Sequence, residues 1–566
     1  MIYSAHMLSN NFVNDCSVFA FGILDIYNKD YIFGSSINNF FDRLIELSRK
    51  NNETNEDTVV YMHDLTWFSS FILGYLNKMK FNKSTAYNMP ERTYSYLCND
   101  VGEFYNIRVN FCYKYTKSSN YKHKKAIKIT FIDSKKKLNM SVKRICKGFN
   151  LEYKELEPIN FDIIHKEIDN LSKEHIKNHL QVGFAIKEFI DRGYNKLTAS
   201  GDAFDDLIKT IGENRFNMLF PNTDNNEDEF IRNSFSGGLC LLNKEYENKE
   251  IKNGYVLDKN SMYLSHMDSS ELFPYGKGIW FDGEYIKDNE YPLYIVRIRV
   301  CCDLFEGHLP CIKDQSSLFD SKLLESTDNE ITELTLTSVD LEMLFDNYDV
   351  YYIEYIGGYK YKSIHGYEVF GDYSKKWYKE KTESEGAKRQ ITKNFINYPY
   401  GRFAMKKRTV KKVVSFDKGV LKCNSVNIDK NESQYSYVAV ASFTTAYSRL
   451  DLHTNAQRCY EMGTFIYGDT DSLHLTESQL PRFIYINEKD LGAWKVEENF
   501  DIGYYFKSKT YKHYRNGKWE YKCSGLNESI RKNILEQDFV KGNSIDSLLP
   551  VNVCDGKIYV KSKFTI

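Results

Sequence analysis

Proline is scarce in this chain, with nine in 566 residues, and no Pro/Ser-rich stretch, internal repeat or low-complexity segment divides it. Domain boundaries therefore carry no mark in composition. The twelve cysteines include no C-x-x-C pair or other zinc-ligand spacing, and Cys301-Cys302 is simply an adjacent pair. A zinc module is not expected, and the usage fits a reduced, cytoplasmic setting. No apolar run approaches the ~18 residues of a membrane span, and no charged-apolar-cleavage signal opens the chain, so no membrane role is expected. Lys and Arg number 76 against 77 Asp and Glu, a formal charge of −1. With no global field, any contact with a polyanion must come from local basic clusters. Such clusters lie at Lys122 to Lys128, Lys135 to Arg144, Lys375 to Lys381, Lys406 to Lys412 and Lys507 to Arg515. Several carry aromatics (Trp377, Tyr378, Tyr511, Tyr514) on which single-stranded nucleic acid could stack. The length exceeds what one hydrophobic core usually supports, so two or more domains are expected.

What is present is chemistry at three places. In Thr464 to Leu475, the run Tyr467-Gly468-Asp469-Thr470-Asp471-Ser472 sets two carboxylates on a turn between apolar, strand-like flanks. Side chains two apart on an extended chain share a face, so Asp469 and Asp471 are expected to crowd negative charge that a divalent cation with oxygen ligands would relieve. Gly-Asp-Thr-Asp is also ordinary turn chemistry. In Gly254 to Tyr263 a short apolar run ends at Asp258, a third carboxylate able to reach the same metals from a neighbouring strand. In Lys381 to Gly401, four-residue spacing puts Arg389, Lys393 and Asn397 on one helical face. A solvated surface is the ordinary reading of such a face; beside a carboxylate and metal cluster it becomes a triphosphate holder.

Taken together, Asp258 with Ser261 and Tyr263, Lys393 with Asn397, Tyr400 and Gly401, and Tyr467 to Ser472 resemble the three polymerase motifs of family B DNA polymerases, in chain order. Leu491-Gly492-Ala493-Trp494, Lys509-Thr510-Tyr511 and Lys522 to Leu526 resemble the protein-primed branch of small Salasvirus-type phages and linear plasmids. Short matches such as Asp15-Cys16 through Ile26 carry the likeness over nearly the whole chain, the last ~40 residues being least recognisable. The resemblance implies a multidomain α/β and α+β fold. A ribonuclease H-like, exonuclease-type domain would span 1–195, followed by a right-hand polymerase over 196–566. Within the latter, palm would occupy 196–269 and 437–523, a first insertion 270–368, fingers 369–404, a second insertion 405–436 and thumb 524–566. Val413 to Val426 in the second insertion reads as a β-hairpin that could help close a ring around template.

The resemblance also implies roles. Asp258 and Asp471 would hold two Mg²⁺ ions, with Mn²⁺ able to substitute, and Asp469 would shape the turn and its field. Lys381, Lys393 and, more weakly, Arg389 would contact the triphosphate. Tyr263 would lie under the sugar and exclude a 2′-hydroxyl, while Asn397, Tyr400 and Gly401 would face the nascent base pair. Ser261, Gly237, Gly238, Thr470, Ser472, Lys509 and Tyr511 would contact primer or template. Expected partners are a DNA primer-template, dNTPs and a terminal protein primer, with the polymerase a monomer or a heterodimer with that protein, in the host cytoplasm if viral.

Three departures stand out. Pro399 inside the second motif should kink or end its helix and displace Tyr400. Ser236, before Gly237-Gly238, replaces a cation and should weaken template contact. The N-terminal acids are gone: His6 and Leu8 stand where Asp-x-Glu is expected, Phe68 replaces an aspartate, and His175 and His179 match a Tyr and an Asp. Asp64 alone remains, so the domain should lack 3′–5′ activity. The four neighbouring histidines (His6, His63, His175, His179) are either neutral filling or a transition-metal site. Rival readings are a noncatalytic DNA- or terminal-protein-binding scaffold and a short-gap repair polymerase.

Overall fold

The computed structural model describes all residues except 10–16, 54–56, 85–88, 100–101, 119–120, 158, 160–169, 316–321, 406–407, 418–419, 430–434, 477–479, 525, 527–535 and 554–555. Asp15-Cys16, Lys406-Lys407 and Gly525 lie outside the described residues.

The N-terminal region contributes β1 Ile2–Ser9, β2 Val18–Asp25, β3 Tyr31–Gly34, α1 Ile37–Glu53, β4 Thr58–Met62, α2 Leu65–Lys78, β5 Asn82–Lys83, β6 Thr93–Cys98, β7 Phe104–Ser118 and β8 Tyr121–Asp133. Helices α3 Val142–Gly148, α4 Asn170–Leu180 and α5 Val182–Asp191 follow. The strands form one mixed sheet in the order β3-β2-β1-β4-β8-β7-β6-β5, with β4 parallel to both β1 and β8. Alternation in β1 sends Tyr3, Ala5 and Met7 into a core with Phe40, Phe41 and Leu44 of α1 and Leu65 and Ile72 of α2. A second cluster joins Ala20 and Leu24 of β2 to Ile176 and Leu180 of α4. Gly22 permits that approach, since a Cβ there would sit 2.3 Å from Ile176 Cγ2. The sheet is thus covered on both faces, the arrangement expected of an α/β layer. Helices α4 and α5 meet at Gln181, and α5 presses Gly183 against Ser4 and Ile26.

Next come α6 Ala199–Ile211, α7 Glu213–Leu219, α8 Asn225–Arg232, β9 Cys240–Leu242, β10 Ile251–Lys259 and α9 Met262–Met267. The stretch expected as the first palm segment therefore supplies three helices before its first strand. An inserted lobe follows, with β11 Leu272–Asp282, β12 Leu293–Leu304, β13 Thr332–Thr337, α10 Ser338–Asn347 and β14 Tyr348–His365, its strands in the antiparallel order β11-β14-β12-β13. Then come α11 Gly366–Glu383, α12 Gly386–Phe403, the hairpin β15 Arg408–Asp417 and β16 Val420–Asp429, and α13 Val438–Glu461. The chain continues through β17 Phe465–Asp469, β18 Ser472–Thr476, β19 Trp494–Lys507, β20 Thr510–Arg515 and β21 Lys518–Cys523 and reaches the hairpin β22 Ser544–Val553 and β23 Gly556–Thr565.

The central sheet is antiparallel, in the order β21-β20-β19-β10-β18-β17-β9. It is backed by α13, whose Leu452, Ala456 and Cys459 pack with Leu257, Leu473 and Leu475. The other half of α13 meets Phe395, Ile396 and Phe403 of α12. Those contacts explain why α12 runs through Pro399 to Phe403 rather than ending before it. Proline removes one backbone donor, and the buried aromatic face offsets that loss. Trp377 is likewise core, 1% exposed and stacked on Phe395 at 4.1 Å, so it is no platform for single-stranded bases. No helix among the described residues is long and apolar enough to cross a membrane.

Candidate active site

The β17-β18 hairpin is tight. Asp469 pairs with Ser472, and Thr470 takes a left-handed φ of 60° at the tip. The Asp471 N–H closes the turn onto the Asp469 carbonyl at 2.7 Å, and the Thr470 N–H donates to the Leu239 carbonyl at 2.8 Å. The turn also sits on Gly238, where a Cβ would lie 2.7 Å from Thr470 Oγ1. Gly238 is thus fixed by the hairpin it supports, whereas a Cβ at Gly237 would meet nothing nearer than Lys313 Nζ at 3.9 Å.

Because the chain turns at Thr470, Asp469 and Asp471 do not share one extended face, which corrects the spacing argument. Asp469 meets Lys509 Nζ at 3.3 Å and accepts from Thr470 Oγ1 at 3.1 Å. Asp471 faces the neighbouring strand instead. Asp258 pairs with Ser472 across β10-β18, and the Lys259 N–H donates to the Asp471 carbonyl at 2.8 Å. Burial, followed by the Asp258 carboxylate, pushes the Asp471 carboxyl up to about 6. No ion pair reaches Asp471 among the described residues, whereas Lys495 Nζ lies 2.5 Å from Asp258 Oδ2.

Opposite these acids stand the cations of α11 and α12. Lys381 donates to Ser261 Oγ at 2.8 Å, with Ser261 in a left-handed conformation at φ 52°. Burial first, then Lys495, Arg389 and Lys393, pull the Lys381 ammonium down to about 8. Four cations therefore converge on one place, and Asp258, paired with Lys495, is the anion among them. Arg389 and Lys393 are exposed on the α12 face expected of them, with Asn397 half-buried one turn on. Tyr263 and Tyr400 stack at 4.1 Å, so Tyr400 is held beside Tyr263 despite Pro399. At Gly401 a Cβ would meet nothing within 4 Å. Ser236 offers its carbonyl to Arg449 Nη1 at 2.8 Å, and Arg449 is locked in a buried ion pair with Asp340.

Behind the hairpin, the Lys509 N–H donates to the Tyr467 hydroxyl at 2.9 Å, and Tyr511 packs against Tyr467 and His474. Ser472 Oγ donates to the Asp469 carbonyl at 3.2 Å. A buried chain of 2.8 Å bonds links His474 to Tyr505, Tyr505 to His513 and His513 to Glu498. The sequence reading missed Lys495, Arg449 and this chain. Lys495 directly follows Leu491 to Trp494, but only the register that sets it opposite Asp258 reveals its place.

The altered N-terminal positions also meet. His6 on β1 stacks on His179 of α4 at 3.8 Å and lies edge-on to Phe68 at 5.2 Å. The cleft is lined by these three with His63, Asp64, Trp67, Lys135 and Met140, and Lys135 Nζ covers Asp64 at 3.1 Å. Leu8 is half-buried on β1, and His175 turns outward, bonded to the Glu157 carbonyl. Burial pushes His63 down to about 4 and lowers His6 and His179, so the imidazoles are neutral. Imidazole lone pairs lie in the ring plane, and rings stacked at 13° cannot aim them at one ion. Among the described residues no three His, Cys, Asp or Glu form a metal-holding group. The transition-metal reading is not supported by this geometry.

A carboxylate hairpin on an antiparallel sheet, faced by a helix that bears cations, is the arrangement of a nucleotidyltransferase of right-hand architecture. Residues 185–489 match the family described as DNA polymerase type B, organellar and viral. The chain is 32% identical to the DNA polymerases of Bacillus phage M2 and Bacillus phage phi29, with 100% of this chain and 99% of each relative covered. Its fold matches that of phi29 DNA polymerase complexed with primer-template DNA and incoming nucleotide substrates at a TM-score of 0.86 and 30% identity, covering 100% of this chain and 99% of that one. The chain belongs to the type B DNA polymerases and is a DNA-directed DNA polymerase of the phi29 type. Enzymes of this family use a divalent metal.

Proposed function

We propose that this polymerase is primed by a protein, displaces the downstream strand, lacks 3′–5′ proofreading, and uses two Mg²⁺ ions held by Asp258 and Asp471. The single observation that carries the site assignment is the convergence of Lys381, Arg389 and Lys393 on two crowded carboxylates, Asp258 and Asp471, of which only Asp258 has a cation partner, Lys495. Like charges gather at such a cost only where a polyanion offsets them. The donors suit Mg²⁺, which is commonly bound by one or two carboxylates with substrate phosphates completing the shell. When bound, the metal would neutralise the reacting phosphate and favour ionisation of the primer 3′-hydroxyl.

The remaining work falls to this chain's own groups. Lys381, Lys393 and Arg389 hold the triphosphate, and Lys381 is held to the palm through Ser261. The Tyr263-Tyr400 stack closes the space beside C2′ of the sugar. Asn397 and Gly401 present the surface for the nascent pair. Lys509 and Tyr511 hold the primer terminus against the Asp469 turn. Gly237, Gly238, Thr470 and Ser472 form the backbone surface beneath it. Like phi29 polymerase in its solved complex, the chain would bind primer-template DNA and nucleotides.

In the N-terminal domain, residues 1–195, the one acid among the described residues that line the cleft, Asp64, is already paired with Lys135. That supports loss of trimming, because a two-metal hydrolytic site without carboxylates cannot hold its ions. Fingers at 369–404 and the insertions at 270–368 and 405–436 complete the proposed domain division. Extension of a primer on a gapped, nicked or circular template tests the reading. Long products past a downstream strand are expected, shortened by deletion of 405–436. Arrest at the downstream strand in the parent protein would favour the short-gap reading.

A further inference from the structure

Lys495 stands directly against the candidate metal ligand Asp258. Its register on β19 sets it directly opposite Asp258, and its ammonium lies on Asp258 Oδ2, with the two side chains 28% and 21% exposed. The other lysines nearby have different partners: Lys259 is paired with Asp451, Lys509 with Asp469, and Lys381 with Ser261. Lys495 is also the charge that acts most strongly on Lys381, so it lies at the edge of the phosphate-binding cations. Glu497, two residues on along β19, faces the same charges, Asp258 and Lys495. An ammonium at 2.5 Å on Asp258 Oδ2 offsets the carboxylate charge and repels a divalent cation approaching the same group, so the two compete for Asp258. A four-carbon stem lets the ammonium move several ångströms without moving the strand.

We propose that Lys495 is a resident counter-cation of the metal site, neutralising Asp258 while the site is empty and passing to a triphosphate oxygen when a divalent cation and nucleotide arrive. The proposal rests on Asp258 being a metal ligand. No covalent step is involved; one cation replaces another on Asp258. Lys495 is thereby a nucleotide contact as well as a brake on metal binding before substrate is present. Metal and nucleotide binding become coupled, because the ammonium that the metal displaces gains an anion only when the triphosphate is there.

The test uses the full chain and Mn²⁺ alone, read as loss of the free-ion paramagnetic signal, with no nucleotide present. Lys495→Met keeps the stem and removes the charge. It should bind Mn²⁺ about three- to tenfold more tightly than the parent, as expected when one nearby like charge is removed. At saturating metal the same variant should show a several-fold higher dNTP KM. Lys495→Arg should return both quantities toward the parent. Lys495→Gln, read in parallel, guards against misfolding by the apolar replacement and should match Lys495→Met. Unchanged or weaker Mn²⁺ affinity in both neutral variants, or an unchanged KM, overturns the proposal. Asp258→Asn separates the two levels. If it loses Mn²⁺ while the Lys495 variants bind as the parent does, the exchange alone is wrong; if it keeps Mn²⁺, the metal assignment of Asp258 is wrong and the exchange with it.

Discussion

At the scale of single residues, Asp471 sets stability against chemistry. Its folded-state carboxyl titrates near 6, above the ordinary value near 4 of an unfolded chain. The folded metal-free protein thus binds more protons than the unfolded one in that window. The stability this carboxyl contributes is present at low pH and lost as pH rises through about 4 to about 6. Asp471→Asn should therefore raise the stability of the metal-free protein by about 1–2 kcal/mol at pH 7.5, with the gain shrinking below pH 5, while removing polymerisation. Denaturant melts at both pH values check the sign; equal or lower stability at pH 7.5 would remove the charge crowding. Tyr263 is a second test. Its ring stacks on Tyr400, and in the proposed role it limits space beside the sugar, so Tyr263→Val should raise ribonucleotide incorporation about tenfold relative to dNTPs. Equal discrimination would reduce Tyr263 to a core aromatic.

At the scale of elements, the β17-β18 hairpin shows what a sequence does and does not carry. Asp469-Thr470-Asp471 between apolar strands marks a turn with two acids, and that much is legible. Which acid faces Asp258 is decided by the left-handed Thr470 and by the Leu239 carbonyl that holds its N–H, and neither can be read from spacing. The same limit applies to α12. Pro399 argues locally for a helix end, but packing of Phe395, Ile396 and Phe403 overrides it. Trp377 sits in a basic segment and is buried because Asp206 of α6 accepts its indole N–H at 2.8 Å. Gly238 supplies a test of the hairpin's support. An added Cβ would strike Thr470, so Gly238→Ala should cost about 1–3 kcal/mol of stability and displace the turn. A shift of that size lowers kcat by ten- to a hundredfold. Wild-type kcat in Gly238→Ala would show that the turn has slack.

At the scale of the whole molecule, the N-terminal region is bound tightly to helices α6, α11 and α12. Lys137 and Asp202, both fully buried, form an ion pair between the segment after β8 and α6. Arg192 holds Glu380 of α11 through two 3.0 Å bonds, and Lys388 of α12 meets Glu188. Gly148 at the end of α3 touches Ala387, where a Cβ would come within 2.3 Å. Ala387 begins the helix that carries Arg389 and Lys393. The N-terminal region thus helps set where Arg389 and Lys393 stand. Gly148→Val should raise the dNTP KM several-fold with DNA affinity little changed, measured by steady-state incorporation and filter binding. Unchanged KM would detach the two regions. The domain order follows from motifs in chain order, but this joint does not, because its partners lie far apart in sequence and carry no motif of their own.

The most direct test of the account is one gel of a 5′-labelled primer on its template with purified protein and Mg²⁺, run with and without dNTPs, beside Asp471→Asn. Longer products with dNTPs, no shortened primer without them, and no extension by Asp471→Asn are expected. A ladder of shortened primer from the parent protein, or near-normal extension by the variant, would contradict it.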